Sequence, residues 1–215
     1  MDYRLDPVSC SAIKGSMLQK STNYLKVLAQ KKKRMEALRD RLEQDLEGVQ
    51  SIFFEAGCGH GHWLTNYASF HPESVCIGID LINKRIGKCR DKSAHRGLKN
   101  CFFYQADLSE FLEVLPKNIH FYAVLMLFPD PWPKARHHRR RMVQTVFLDQ
   151  FAARVCQQGR FYFRTDDQSY CEWTCQKLQQ HSSWKLEGEI SWPHETVTYF
   201  QNLMDTYYSL QAYRV

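Results

Sequence analysis

The sequence has no apolar run long enough to cross a membrane. Its longest clear one, Ala123 to Phe128, falls far short of the ~18 residues a spanning helix needs. The opening Met1-Asp2-Tyr3-Arg4 offers no apolar stretch for a secretory leader, so membrane and secreted classes are excluded and a cytoplasmic location is expected. None of the eight cysteines forms a Cys-x-x-Cys, and Cys171-x-x-x-Cys175 has no second pair. With no His-x-x-x-His spacing either, no metal site is expected, and scattered thiols fit a reducing compartment. Repeats and low-complexity tracts are also missing. Proline is sparse, but three of the seven fall between 129 and 133, which marks one stiff segment.

What is present suits a globular protein. A chain of 215 residues matches one domain with an appendage, and 44% apolar with 24% charged residues is ordinary folded composition. The formal net charge of +6 is modest for a nucleic-acid binder, so the location of the cations matters more than their sum. Residues 1–16, with Pro7 and Gly15, read as a loose arm. From Met17 to Val49, Leu25, Leu28, Met35, Leu38, Leu42, Leu46 and Val49 recur with helical spacing, which predicts an amphipathic helix. Lys31-Lys32-Lys33-Arg34 interrupts it, either as a solvated face or as an RNA contact. Residues 1–50 are thus an N-terminal extension and 51–215 the main domain.

After Gln50, strands alternate with helices. Strands are expected at 51–56, 74–80, 100–105, 119–128, 159–165, 184–190 and 206–215. Helices are expected at 61–70, 83–95, 108–115, 142–157 and 167–180. The fold class is α/β: a mostly parallel, Rossmann-like sheet with helices on both faces and ligands at the carboxyl ends of its strands.

The first strand runs into Glu55-Ala-Gly57-Cys-Gly59-His-Gly61, glycines that let the backbone approach a ligand. A dinucleotide fingerprint would need glycine where His62 stands. A carboxylate beside the loop opposes a pyrophosphate and suits a cation, and S-adenosylmethionine carries a sulfonium and an ammonium without phosphate. Asp80 ends the second strand, where it can take ribose hydroxyls, and Asp107 follows the third, within reach of an adenine amino group.

The fourth strand ends in Phe128-Pro-Asp130-Pro-Trp132-Pro-Lys134-Ala-Arg136-His-His-Arg139-Arg140-Arg141. The prolines hold Asp130 on a rigid turn, and the cations after it form a phosphate-binding footprint. Trp132 is expected to anchor that loop by packing. His60, His62, His137 and His138 read as loop residues, and Asp166-Asp167 equally as a helix cap or a metal pair.

This long segment resembles the bacterial-type tRNA (guanine-N7)-methyltransferases, the TrmB family. The likeness continues through Glu55 to Gly61, Gly78-Ile-Asp80, Ala106-Asp107, Arg164-Thr-Asp166 and Thr198-Tyr199-Phe200, across about residues 51–201. It implies a class I methyltransferase sheet of seven strands and transfer of a methyl group from S-adenosylmethionine to N7 of a guanine in the tRNA variable loop. It implies cofactor contacts at Glu55, Asp80, Asp107 and Asp130, the last also catalytic. Substrate contacts follow at Lys134, Asp166, Thr198, Tyr199, Phe200 and Gln201, and phosphate contacts are expected at Arg136, Arg139, Arg140 and Arg141. Gln201 stands where the family pattern has Glu. The resemblance also implies a monomer or homodimer with no obligatory protein partner. The same fold acting on another RNA, or an RNA-binding relative without activity, are the competing readings.

Overall fold

The computed structural model describes residues 8–188, 191–196, 201 and 206–215, with side chains described from residue 24 onward. Seven strands form one sheet: β1 (Ser51–Ala56), β2 (Cys76–Asp80), β3 (Cys101–Gln105), β4 (His120–Leu127), β5 (Val155–Thr165), β6 (Trp184–Leu186) and β7 (Tyr208–Arg214). Their order is β3-β2-β1-β4-β5-β7-β6. The first five pair in parallel, and β7 runs antiparallel between β5 and β6. The chain order reverses between β1 and β4, which opens a crevice at the carboxyl ends of those strands.

Both faces are covered, which is why β1 reads as continuous apolar sequence. Phe54 faces one cluster, stacked on Phe111 at 4.9 Å, with helices α1 (Val8–Asp45), α4 (Leu108–Val114), α5 (Thr145–Ala152) and α6 (Gln168–Gln179). Phe53 faces the other, with α2 (His62–Phe70) and α3 (Asn83–His95). Burying a phenylalanine of this kind contributes roughly 1.5–3 kcal/mol.

Helix α1 begins at Val8, so part of the expected arm is helical. Met35, Leu38, Leu42 and Leu46 are buried on the sheet, whereas Tyr24, Leu25, Val27 and Leu28 are exposed. The cationic knot is divided: Arg34 donates to both carboxylate oxygens of the buried Glu110, at 2.6 and 3.0 Å, and is committed to holding α1 on α4. A second correction concerns residues 142–157. The helix spans only Thr145–Ala152 and β5 starts at Val155, bulging before Arg160 so that Phe121 and Ala123 of β4 pair with Val155 and Arg160. Of the expected strand 184–190, Trp184–Leu186 is formed, and residues 189–190 lie outside the described set. Among the described residues no helix is long and apolar enough to cross a membrane.

Candidate active site

The crevice holds a cleft of about 370 Å³ lined by Glu55, Gly57, Gly59, His60, Arg85 and Asp130, among others. Its floor comes from β1. Glu55 is 2% exposed, its Oε2 has no hydrogen-bond partner, and burial pushes its carboxyl well above the ordinary carboxylate range. A buried carboxyl with an unpartnered oxygen at the base of a cleft suits a cationic group.

The loop after β1 is bent by residues no side chain would suit. Gly61 has φ +66°, and a Cβ there would lie 2.9 Å from Cys89 Sγ. At Gly57 and Gly59, by contrast, a Cβ would meet nothing within 4 Å, so their backbone faces open space in the cleft. The loop is tied from outside: Gly59 N–H donates to Asp80 Oδ2 at 3.2 Å, and Lys92 donates to the His60 carbonyl at 2.8 Å. Asp80, itself buried, also accepts from Arg85 at 3.3 Å and from the Ile82 N–H at 2.8 Å, so it ties the glycine loop to the start of α3.

Asp130 is exposed at the mouth, on a turn whose backbone is constrained on both sides. Phe128 and Trp132 have φ of 48° and 47°, left-handed values that cost such residues ~1–3 kcal/mol each. The Phe128 N–H donates to the Arg164 carbonyl at 2.7 Å, fixing the turn to β5. Downstream, residues Ala135–Arg140 form a 3₁₀ helix that exposes Arg136, Arg139 and Arg140, beside exposed Lys134. Trp132 carries the Arg140 guanidinium 4.8 Å from its ring centroid, so the expected anchor also orients a cation.

Arg141 is a correction to the expected phosphate contacts. It is 2% exposed and donates from Nε to the Pro131 carbonyl at 2.8 Å and from its other nitrogens to Ser169, at 3.0 and 3.2 Å. Its guanidinium also lies over the rings of Tyr170 and Trp173. It therefore clips the Asp130 turn to α6 and cannot reach RNA. Arg141→Ala is expected to lower stability by about 3 kcal/mol, read by chemical denaturation, because Pro131 and Ser169 lose a buried charged donor.

The sequence-predicted residues do not all converge. Glu55, Gly57, Gly59 and Asp130 line the cleft, and Gly61 and Asp80 support it. Asp107 is outside the lining. Its Oδ1 caps α4, accepting from the Ser109 and Glu110 N–H groups at 2.9 and 3.4 Å. Asp166 is exposed at the end of β5, while Asp167 caps α6 at the Tyr170 N–H. Thr198, Tyr199 and Phe200 lie outside the described residues, and Gln201 is buried. The family likeness includes Arg164, but the sequence assigns it no role of its own. It is 3% exposed and lies 3.9 Å from the Trp192 ring centroid and 4.7 Å from that of Tyr207, so it gathers both aromatic rings onto the end of β5.

A family model described as "Putative methyltransferase" matches residues 49–207. A tRNA (guanine-N(7)-)-methyltransferase of Rhizobium meliloti is 31% identical over 170 residues, covering 78% of this chain and 71% of the relative. The chain belongs to this methyltransferase family. A second member, the tRNA (guanine-N(7)-)-methyltransferase of Rhodospirillum rubrum, is 34% identical over 67% of this chain and 57% of its own length. The chain thus spans little more than half of some relatives in the family. The fold agrees with the class I S-adenosylmethionine methyltransferases. The aminoglycoside resistance methyltransferase NpmB1 superposes with a TM-score of 0.55 at 16% identity, over 82% of this chain and 93% of that one. NSun6 from Pyrococcus horikoshii does so with 0.59 at 17%, over 85% and 51%. At these identities the likeness is one of fold.

Proposed function

We propose that this protein transfers the methyl group of S-adenosylmethionine to N7 of a guanine in the variable loop of tRNA. On this reading it acts in the cytoplasm, as a monomer or homodimer without an obligatory protein partner. The observation that carries the reading is one juxtaposition. A buried carboxyl with an unpartnered oxygen (Glu55) lies at the floor of the cleft, Asp130 sits on a constrained turn at its mouth, and exposed cations follow immediately.

The residues present fit the cofactor. The unpartnered Glu55 Oε2 suits an ammonium group, the open backbone at Gly57 and Gly59 admits a close ligand, and Asp80, bonded to the glycine loop, suits ribose hydroxyls. Asp107 keeps one carboxylate oxygen uncommitted for an amino group. When bound, S-adenosylmethionine supplies an electrophilic methyl group on a sulfonium centre.

Guanine N7 carries a free lone pair at neutral pH, so the protein needs no general base to expose the nucleophile. Its task is placement, with reacting atoms held about 3–3.5 Å apart in line. Asp130 orients the base and offsets the positive charge that arrives on the imidazole ring. Asp166 accepts from guanine N1–H and N2–H, a pattern adenine lacks. Lys134, Arg136, Arg139 and Arg140 hold phosphates and set the register of the loop. The family likeness assigns further substrate contacts to Thr198, Tyr199, Phe200 and Gln201, of which only Gln201 is among the described residues.

Incubation with labelled S-adenosylmethionine and unmodified tRNA, followed by nuclease digestion, is expected to yield 7-methylguanosine from the variable loop. Label in a different nucleoside, or at a guanine elsewhere, would overturn the assignment.

A further inference from the structure

Helix α3 carries a concentration of positive charge that the chemistry above leaves unused. Lys84, Lys88, Lys92 and Arg96 recur at every fourth position over about 18 Å of helix, with Arg85 and Arg90 between them and Asp91 as the single acid. Three of these six cations have structural partners. Arg85 binds Asp80, Arg90 donates twice to the Phe103 carbonyl at 2.8 and 3.0 Å, and Lys92 holds the His60 carbonyl. Lys84, Lys88 and Arg96 are exposed, and none of them forms an ion pair among the described residues. Like charges four residues apart weaken a helix, so the fold alone gives no reason for them.

Position supplies the reason. The Lys92 bond ties α3 to the glycine loop, and Arg85 lines the cleft from that side while Phe128 and Asp130 line it from the other. Burial lowers the basicity of His60 and His62, and the nearby cations Lys88, Arg85, Lys92 and Arg96 lower it further, so the field of α3 reaches the cleft rim. The cleft therefore opens between two cationic surfaces, α3 and the 134–140 turn. A small substrate needs neither, whereas a polyanion laid across the opening meets both.

We propose that Lys84, Lys88 and Arg96 bind the sugar-phosphate backbone of the RNA substrate on the side of the cleft opposite the basic turn, so that the RNA crosses the cleft mouth. The proposal deepens the RNA-substrate reading above and rests on it. It is tested with the triple variant Lys84→Ala, Lys88→Ala, Arg96→Ala, by filter binding of unmodified tRNA between 50 and 300 mM KCl, with cofactor affinity as the control for folding. Binding is expected to weaken roughly tenfold or more near physiological salt. The slope of log affinity against log salt should become shallower by about two to three, since each phosphate contact contributes ~0.7–0.9. The charge-keeping triple Lys84→Arg, Lys88→Arg, Arg96→Lys should retain the wild-type slope. An unchanged slope in the alanine triple, or an equal loss in the charge-keeping one, would overturn the proposal. Because the readout is binding, a wild-type protein that bound tRNA through this face yet formed no 7-methylguanosine would remove the reaction assignment and leave this surface standing.

Discussion

Replacing Asp130 by alanine is expected to lower methyl transfer at saturating cofactor and tRNA by about 10²- to 10³-fold, with the melting temperature unchanged. The side chain is exposed and has no hydrogen-bond or ion-pair partner among the described residues, so its removal leaves no buried group unsatisfied. Its position is nevertheless costly to maintain. Two left-handed residues bracket it, the Arg164 carbonyl holds the turn on one side, and buried Arg141 holds it on the other. Strain at a constrained turn persists where the geometry is needed, and here the only acid on the turn is Asp130. Asp130→Asn separates two roles: it keeps an acceptor oxygen for orienting the base but loses the charge that offsets the developing cation. Single-turnover rates intermediate between wild type and Asp130→Ala are therefore expected. Wild-type turnover in Asp130→Ala would refute the assignment.

Glu55→Gln is expected to act in opposite directions on binding and on stability. Cofactor affinity, measured by calorimetry, should fall about 10- to 100-fold, because a hydrogen bond between two charged groups becomes one to a neutral amide. The cofactor-free protein should nevertheless melt a few degrees higher at pH 7–8. Burial, with the nearby Cys89 and Asp80 adding to it, raises the folded pKa of Glu55 above its unfolded value. Its contribution to apo stability is thus fully present at acidic pH, below the unfolded pKa, and is lost as pH rises towards the folded value. The substitution removes that pH-dependent loss. Binding a cation to Glu55 in turn releases a proton, so wild-type cofactor affinity should increase with pH through the range where Glu55 ionises, and Glu55→Gln should flatten that dependence. A cofactor affinity unchanged by the substitution would remove Glu55 from the site.

The strongly periodic parts of the fold were legible in the sequence. Helix 83–95 and strand 51–56 have the expected limits because their flanking Gly, Ser and Asn residues leave few alternatives. Residues 155–157 were misread because Val155-Cys156-Gln157 continues the helical pattern of α5 locally, and only pairing with Phe121 draws them into the sheet. The start of α1 was hidden by Pro7 and Gly15, of which the glycine is accommodated inside the helix. At the site, spacing alone points to Glu55, which lines the cleft, and to Asp80, which holds the glycine loop, whereas Asp107 caps α4 outside the lining. Arg141 could not be told from Arg139 and Arg140, which share its chemistry. The 3₁₀ turn leaves the first two in solvent and buries the third against α6. The role of Arg164 was hidden for a similar reason: its aromatic partners, Trp192 and Tyr207, are distant in sequence.

The placement of β7 between β5 and β6 has a consequence for how the chain is made. Among the described residues β6 has no sheet neighbour except β7, and β5 completes its second edge by pairing Arg160 through Thr165 with Tyr213 through Tyr208. While the ribosome is still translating residues before 208, one edge of β5 lacks its partner and Trp184 has no ladder to join. Strands that pair only after distant segments arrive slow folding and leave an unpaired edge exposed. Synthesis therefore produces a nascent chain whose five parallel strands can assemble early but whose final edge closes only after residue 214 clears the exit tunnel. That interval is when this protein has the greatest need of a chaperone.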